Sequence, residues 1–516
     1  MVKKIKKLDF TRIDFIFKGI LVGIFVGCVV TLFRICVESF SQWVIKFYHY
    51  SHHHLLYLVG ILLFSIIIGI ILGKLYKSDP NIKGSGIPQV EGQLIDKISV
   101  NWFSVLWKKF LGGILAIGSG LFLGREGPSI QLGAVVGQGI NSFLKGSKTD
   151  EKILISSGAS AGLAAAFNAP LAGILFVLEE IHHSFSPLIW TTSFVSALTA
   201  DFISSYFFGL KPVLYMGKVA SFPLSYYWLL PLLGVVAGTL GWIYQKILLL
   251  SSDLYQKISF IPTCYYGMIP LLLVIPIGYL STNMLGGGSQ IILEISKNNH
   301  ILLYLLFLFV VRFVFLMVSY GSNLPGGIFL PVLTLGAIIG ACIGNVAINH
   351  LAINPEFLRN FIIFSMAGYF AAISKAPLTA ILLITEMVGN FSNLMSVGTV
   401  VLTSYITIDL LGGSPIYELL LERMIQDDSF NNVYKKKITI EIPVTVETYL
   451  DGNMIRDVQW PDGMLLTSIY RGESELLTLG DTIIHLGDIL VILTDTTNSD
   501  KIRQFIQRRS KEFQQF

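Results

Sequence analysis

Charged side chains are scarce in this chain. Asp, Glu, Lys and Arg make up 14% of its 516 residues, against roughly 25% in soluble domains. With 53% hydrophobic residues and a mean hydropathy of +0.67, the shortage excludes a soluble enzyme with a single anchor and points to a polytopic membrane protein. Neither sign of charge prevails, since 37 Lys and Arg face 33 Asp and Glu for a net +4, so no nucleic-acid partner is expected. Cysteine is also rare. Cys28, Cys36, Cys264 and Cys342 lie in apolar surroundings without metal-ligand spacing, which argues against a disulfide framework or a metal centre. His52-His53-His54 lacks an acidic or cysteine neighbour and reads as an interfacial loop. No nucleophile–base pair stands out, which speaks against a membrane enzyme. Glycine, by contrast, is abundant, and 48 of them suit close helix packing and broken helices in lipid.

The lysine-rich start resembles the basic end of a secretory signal. The apolar run from Phe15 towards Val44 has no small-residue cleavage site, however, and is expected to be a first membrane helix. Four lysines then place the N-terminus in the cytoplasm. Further spans are expected at 55–76, 103–123, 188–208, 226–251, 265–284 and 300–320. Asp201 and Arg312 fall inside such spans and should face protein rather than lipid. Residues 153–168 are dominated by small side chains, as suits a helix packed among other helices.

The stretch Gly124-Arg125-Glu126-Gly127-Pro128 joins two apolar segments. Gly127 and Pro128 read as a helix start, which leaves free N–H groups and a positive dipole end at membrane depth beside Glu126. The plain alternative is a cytoplasmic loop. Residues 84–92, Gly-Ser-Gly-Ile-Pro-Gln-Val-Glu-Gly, read as a turn whose serine hydroxyl and N–H groups can meet an anion. Glu179-Glu180 follow a helix restarted at Pro170 and can equally mark an ordinary helix end.

An internal repeat organises these pieces. Residues 128–137 (Pro-Ser-Ile-Gln-Leu-Gly-Ala-Val-Val-Gly) match 331–340 (Pro-Val-Leu-Thr-Leu-Gly-Ala-Ile-Ile-Gly), 331 minus 128 giving an offset of 203. Residues 169–175 match 376–382 at an offset of 207, which sets Glu179 opposite Glu386. Two ordered matches at nearly one offset imply two copies of one structural unit, with the binding site expected between them. Gly326-Gly327-Ile328-Phe329-Leu330-Pro331 is then a second glycine-rich helix start.

Gly84-Ser85-Gly86-Ile87-Pro88, Gly124-Arg125-Glu126-Gly127-Pro128 and Gly327-Ile328-Phe329-Leu330-Pro331, in this order, resemble the three signatures of the CLC family of chloride channels and proton–chloride antiporters. The resemblance covers roughly residues 15–420. It implies an all-α polytopic membrane protein with the inverted-repeat fold and broken helices, assembled as a homodimer with one pathway per subunit in the cell membrane of a bacterium. It also implies roles. Ser85 and Tyr417 would coordinate the central chloride with the backbone amides of Ile328 and Phe329. Glu126 would be the gating glutamate, occupying an anion position when ionised and leaving it when protonated. Glu180 resembles the internal proton glutamate of the antiporter branch, where channels usually lack an acid. Serine in the first motif suggests chloride, where proline would suggest nitrate.

After about Leu421 the composition becomes polar, and residues 421–434 read as a linker. Strand-like runs follow at 437–446, 464–470, 475–479 and 483–494, then a charged helix at 499–513. Residues 435–512 resemble the C-terminal (TrkA-C-like) subdomain of regulator-of-potassium-conductance proteins, notably at Gly480-Asp481-Thr482 and Gly487-Asp488-Ile489-Leu490-Val491. Residues 435–516 are therefore expected to form a small α+β cytoplasmic regulatory domain, and 1–420 the transport domain. Domains of this type bind ions or nucleotides, including cyclic dinucleotides; a pure dimerisation domain is the alternative. No cofactor is expected, and chloride and protons are the transported ions. The leading reading is a proton-coupled chloride antiporter. A passive chloride channel of the same fold and a potassium transporter are the alternatives, the latter opposed by the missing potassium-filter signature.

Overall fold

Prolines and glycines decide where the helices of this chain break. Its structure, a computed structural model, describes residues 10–426 except 53, 55 and 183–185, together with 437–444, 450–461, 463–471, 474–495, 502, 505 and 506. Of the linker expected at 421–434, residues 421–426 are instead the end of a helix, Ile416–Gln426, and 427–434 lie outside the described residues, as do most of the helix expected at 499–513, His53 and His183. Two compact units divide between Ile425 and Gln426.

The first unit is helical throughout. In order come α1 (Phe10–Ser51), α2 (Leu56–Ser78), α3 (Ile87–Leu94), α4 (Trp102–Gly118), α5 (Glu126–Leu144), α6 (Lys148–Phe167), α7 (Pro170–Phe176) and α8 (Pro187–Phe208). There follow α9 (Leu229–Gln256), α10 (Met268–Leu280), α11 (Ser289–Ile295), α12 (Leu302–Gly321), α13 (Phe329–Leu351), α14 (Leu358–Ser374), α15 (Pro377–Val388), α16 (Leu394–Leu410) and α17 (Ile416–Gln426). Pro88, Pro170, Pro187 and Pro377 stand at helix starts, where a missing N–H costs nothing. Asn101 and Ser147 cap α4 and α6 by accepting from the N–H groups of Ser104 and Asp150. Seven helices among the described residues are long and apolar enough to cross a membrane. Large apolar side chains such as Phe25, Ile67, Phe202 and Phe307 are exposed on α1, α2, α8 and α12, as hydrocarbon contact requires.

Helices α1–α8 and α9–α16 form the two repeats. The partners of α5, α1 and α6 in the first half are matched in the second: α5 packs on α6 as α13 does on α14, α1 on α8 as α9 on α16, and α6 on α8 as α14 on α16. The symmetry has a physical centre. Gly124 and Gly327, 203 positions apart, form an antiparallel bridge in which each N–H donates to the other's carbonyl at 2.7 Å. Equivalent residues pair antiparallel in this way when a two-fold axis passes between them.

The small residues expected to pack closely do so. A Cβ on Gly133 of α5 would overlap the carbonyl oxygen of Gly158 on α6, and a Cβ on Gly158 would overlap that of Gly133. Backbone meets backbone here, so nothing flexible can yield. Gly133→Ala should cost about 1–3 kcal/mol or more from overpacking, seen as lost monodispersity and a lowered melting temperature in detergent; an unchanged melt would contradict the packing.

Three expectations need correction. Helix α5 begins at Glu126, two residues before Pro128, with the Ser129 N–H donating to the Arg125 carbonyl at 3.0 Å. Pro128 still lies in the first turn, where its missing donor is not needed, and the gating candidate is itself part of that turn. Of residues 84–92, only 84–86 are a turn; the rest belong to α3, whose N-cap Gly86 has φ 90°, a left-handed conformation that a Cβ would strain. The strand expected at 483–494 starts only at Ile489, because Gly487 at φ 87° turns the chain.

The second unit holds a four-stranded antiparallel sheet, β1 (Lys437–Pro443), β2 (Met464–Arg471), β3 (Ser474–Leu477) and β4 (Ile489–Asp495), in the order β1-β4-β2-β3. Ile440, Ile442, Ile469, Leu490 and Ile492 form its core with Leu450 and Ile484, and helical Ile502 and Ile506 pack there too. Asp488, 1% exposed, accepts from Arg471 Nε at 2.8 Å and Nη2 at 2.7 Å and from the His485 N–H at 2.9 Å. Burial alone would raise its carboxyl pKa, but the guanidinium and the N–H hold it below the usual range. A depressed carboxylate stabilises the fold above its unfolded pKa of about 3.9 and loses that contribution as pH falls through the lower folded value. Asp488→Asn should therefore cost about 1–3 kcal/mol near neutral pH, and a smaller penalty at pH 3, read by urea unfolding of the intact protein. An equal penalty at both pH values would contradict the ion pair.

Candidate anion and proton site

Helices α5 and α13 start on either side of the Gly124–Gly327 bridge, so two sets of orphan N–H groups converge. Glu126 lies between them. It is fully buried, neither carboxylate oxygen makes a well-formed hydrogen bond, and the N–H groups of Glu126 itself and of Leu330 on α13 face it. The side chain of one repeat thus addresses the helix start of the other. Arg125 pairs with Glu38, which also accepts from Arg34 Nε at 3.3 Å, while Arg34 Nη1 donates to Asn168 Oδ1 at 3.0 Å. Both cations, Arg125 and Arg34, act electrostatically on Glu126.

Ser85 is 1% exposed and lies against the first turn of α5, where a Cβ on Gly127 would touch it. Its hydroxyl oxygen accepts from the Ile87 N–H at 3.3 Å. Ile328 caps α13 and Phe329 is its first residue, so their N–H groups are among the helix's orphan donors. Both are buried. The ring of Phe176 on α7 stands edge-on to Phe329 at 5.9 Å and to Tyr417 at 6.2 Å. Tyr417, at the start of α17, is buried and close enough to feel both Glu126 and Glu180. Glu180, 3% exposed, follows α7 within a π turn closed by the His182 N–H donating to the Val177 carbonyl at 2.9 Å. Glu91 on α3 and Glu418 on α17 act on it electrostatically. Ser85, Glu126, Ile328 and Phe329 thus stand about the starts of α3, α5 and α13, Phe176 joins Phe329 to Tyr417 at the start of α17, and Glu180 lies in the turn after α7 within electrostatic reach of Tyr417.

Other residues were not foreseen. Lys109 on α4, fully buried, donates to the carbonyls of Ile82 and Gly84 at 2.9 and 2.8 Å. Arg312 on α12, 203 positions later, donates to those of Met284 and Gly286, both at 2.9 Å. Each cation braces the turn before a short helix, α3 or α11. Gly86 and Gly288 cap those helices at φ 90° and 103°, so the first motif has its own repeat at Gly286-Gly287-Gly288. The offset of 203 carries Lys109 onto Arg312 and was the available signal. Tyr320 on α12 sets its hydroxyl against the Gly84-Ser85 turn, and no sequence pattern marks it.

The sequence profile described as voltage gated chloride channel matches residues 67–409. This chain belongs to that family. A TrkA-C domain profile matches residues 439–507. The H(+)/Cl(-) exchange transporter ClcA of Vibrio vulnificus strain YJ016 is 34% identical over 434 residues, covering 81% of this chain and 91% of the relative. That of Yersinia pestis bv. Antiqua strain Angola is 35% identical over 357 residues, covering 67% and 74%. Among solved structures, a slow cyanobacterial Cl-/H+ antiporter superposes with a TM-score of 0.76 at 29% identity, over 80% of this chain and 99% of the other. A CLC-type fluoride/proton antiporter, at 20% identity and a TM-score of 0.66, shares the fold. This CLC member is a membrane transport protein rather than an enzyme, and its second unit is of the TrkA-C kind.

Proposed function

We propose that this protein is a proton-coupled chloride antiporter, with Glu126 as the gate and Glu180 as the internal proton acceptor. The observation that supports this most is the buried, poorly satisfied carboxylate of Glu126 set between the first turns of α5 and α13. Chloride is held at this place by the Ser85 and Tyr417 hydroxyls and the N–H groups of Ile328 and Phe329. Such partial charges bind an anion without trapping it. An ionised Glu126 competes with chloride for the same N–H groups; a protonated one has no claim on them and moves aside. Each ion biases the same two states, and that is the coupling. Glu180, one helix away with Tyr417 near both acids, delivers the proton from the cytoplasmic side.

The protein acts as a homodimer in the bacterial cell membrane with both termini in the cytoplasm. Its TrkA-C unit takes a nucleotide or cyclic dinucleotide that adjusts transport. Reconstituted in liposomes, the protein should pump protons against their gradient when a chloride gradient drives it. Chloride movement with no proton movement would indicate a passive channel of the same fold.

A further inference from the structure

Two acids stand side by side in the π turn that follows α7, and successive residues of a helical turn point in different directions, so they cannot serve the same place. Glu180 turns inward. Glu179 turns to the other repeat, where Oε1 accepts from the Leu378 N–H at 3.0 Å and Oε2 from the Thr379 N–H at 2.7 Å and the Thr379 hydroxyl at 2.8 Å. These donors are the orphan groups of the first turn of α15. Glu386, near the end of α15, does the same in return: its two oxygens accept from the N–H groups of Leu171 and Ala172 at 3.2 and 2.8 Å, in the first turn of α7. Every partner has its equivalent 207 positions away, Leu171 with Leu378, Ala172 with Thr379 and Glu179 with Glu386. The pair is a reciprocal clamp, each helix start held by the acid at the other helix's end, with the charge placed where the dipole favours it.

The clamp holds α7 at Leu171 and Ala172 and the turn after it at Glu179, the residue next to Glu180. Over Val177–Ile181, which includes Glu179 and Glu180, the chain is a π turn, wider than an α turn by one residue. Were that turn to relax to α geometry, Glu180 within it and the residues after it would swing round the helix axis, by up to about 100°. We infer that Glu179 is a positioning residue: anchored on α15 and matched by Glu386 on α7, it fixes the π turn that keeps Glu180 facing the interior. This rests on the antiporter reading, in which Glu180 receives the proton. Glu179 itself carries no proton here; it acts through the aim of its neighbour.

Proton and chloride fluxes measured together in liposomes test this, using Glu179→Ala, Glu179→Gln, Glu386→Ala and Glu386→Gln in the full chain. Glu179→Ala should lower proton flux by about tenfold to a hundredfold, while chloride flux persists and reports a folded protein. Glu179→Gln should keep most of the proton flux, because its amide oxygen still accepts from α15. Glu386→Ala, at the other end of the clamp, should reproduce the loss, and Glu386→Gln should restore it. If Glu179→Gln proves as damaging as alanine while Glu386→Ala is harmless, Glu179 is a proton carrier and the inference fails. It fails equally if Glu179→Ala leaves the proton-to-chloride ratio unchanged. A wild-type protein that moves chloride without protons would instead overturn the antiporter reading, and the inference with it.

Discussion

Glu126→Gln should leave chloride flux running while proton flux falls to the level of protein-free liposomes. Glutamine keeps the volume of the side chain at a buried site where α5 and α13 start. It removes the negative charge and the exchangeable acid proton. The N–H groups facing Glu126 then have no tethered anion to bind. Chloride meets no competitor, and no step of the cycle depends on protonation. Chloride flux should accordingly lose its dependence on external pH. An ionised carboxylate without full pairing is costly in a buried site, so the wild-type residue has two accessible forms to cycle between, whereas the amide has one. Coupling that survives this substitution would count against Glu126 as the gate.

Glu180→Gln should stop proton movement and let chloride pass. Glu180 lies in the π turn after α7 rather than in the first turns of α5 or α13, so its neutralisation leaves the N–H groups of those turns in place. Only the delivery of protons to Glu126 is lost. Simultaneous chloride and pH electrodes on one liposome suspension separate the two fluxes. The two substitutions differ in one respect: Glu126→Gln removes the pH dependence of chloride flux, whereas Glu180→Gln retains its response to external pH, since Glu126 can still be protonated from outside. Continued movement of both ions in the Glu180 variant would reduce this residue to an acid at a helix end.

The helix starts were legible because glycine and proline leave a local mark, and three such marks in order carried the family resemblance. The two-fold relation of the halves was legible from the repeat at 128–137 and 331–340, and its physical form is the Gly124–Gly327 bridge. Partners far apart in sequence were not. Lys109 looks like a lysine at the edge of an apolar run until the fold brings the carbonyls of Ile82 and Gly84 to it. Tyr320 is one of 21 tyrosines, with nothing local to link it to Ser85. Glu179 and Glu180 look alike in sequence, and only the turn of the helix separates a clamp from an inward-facing acid. The strand expected at 483–494 failed for a local reason that was visible, the glycine at 487, whose left-handed backbone ends one element before the next begins.

The central claim is that chloride and proton share one mechanism through Glu126. The reversal potential of the purified protein, recorded in a bilayer with a fixed chloride gradient and two different pH gradients, tests it most directly. An antiporter's reversal potential lies away from the chloride equilibrium potential and shifts when the pH gradient is reversed. A reversal potential that stays at the chloride value whatever the pH gradient would contradict the account.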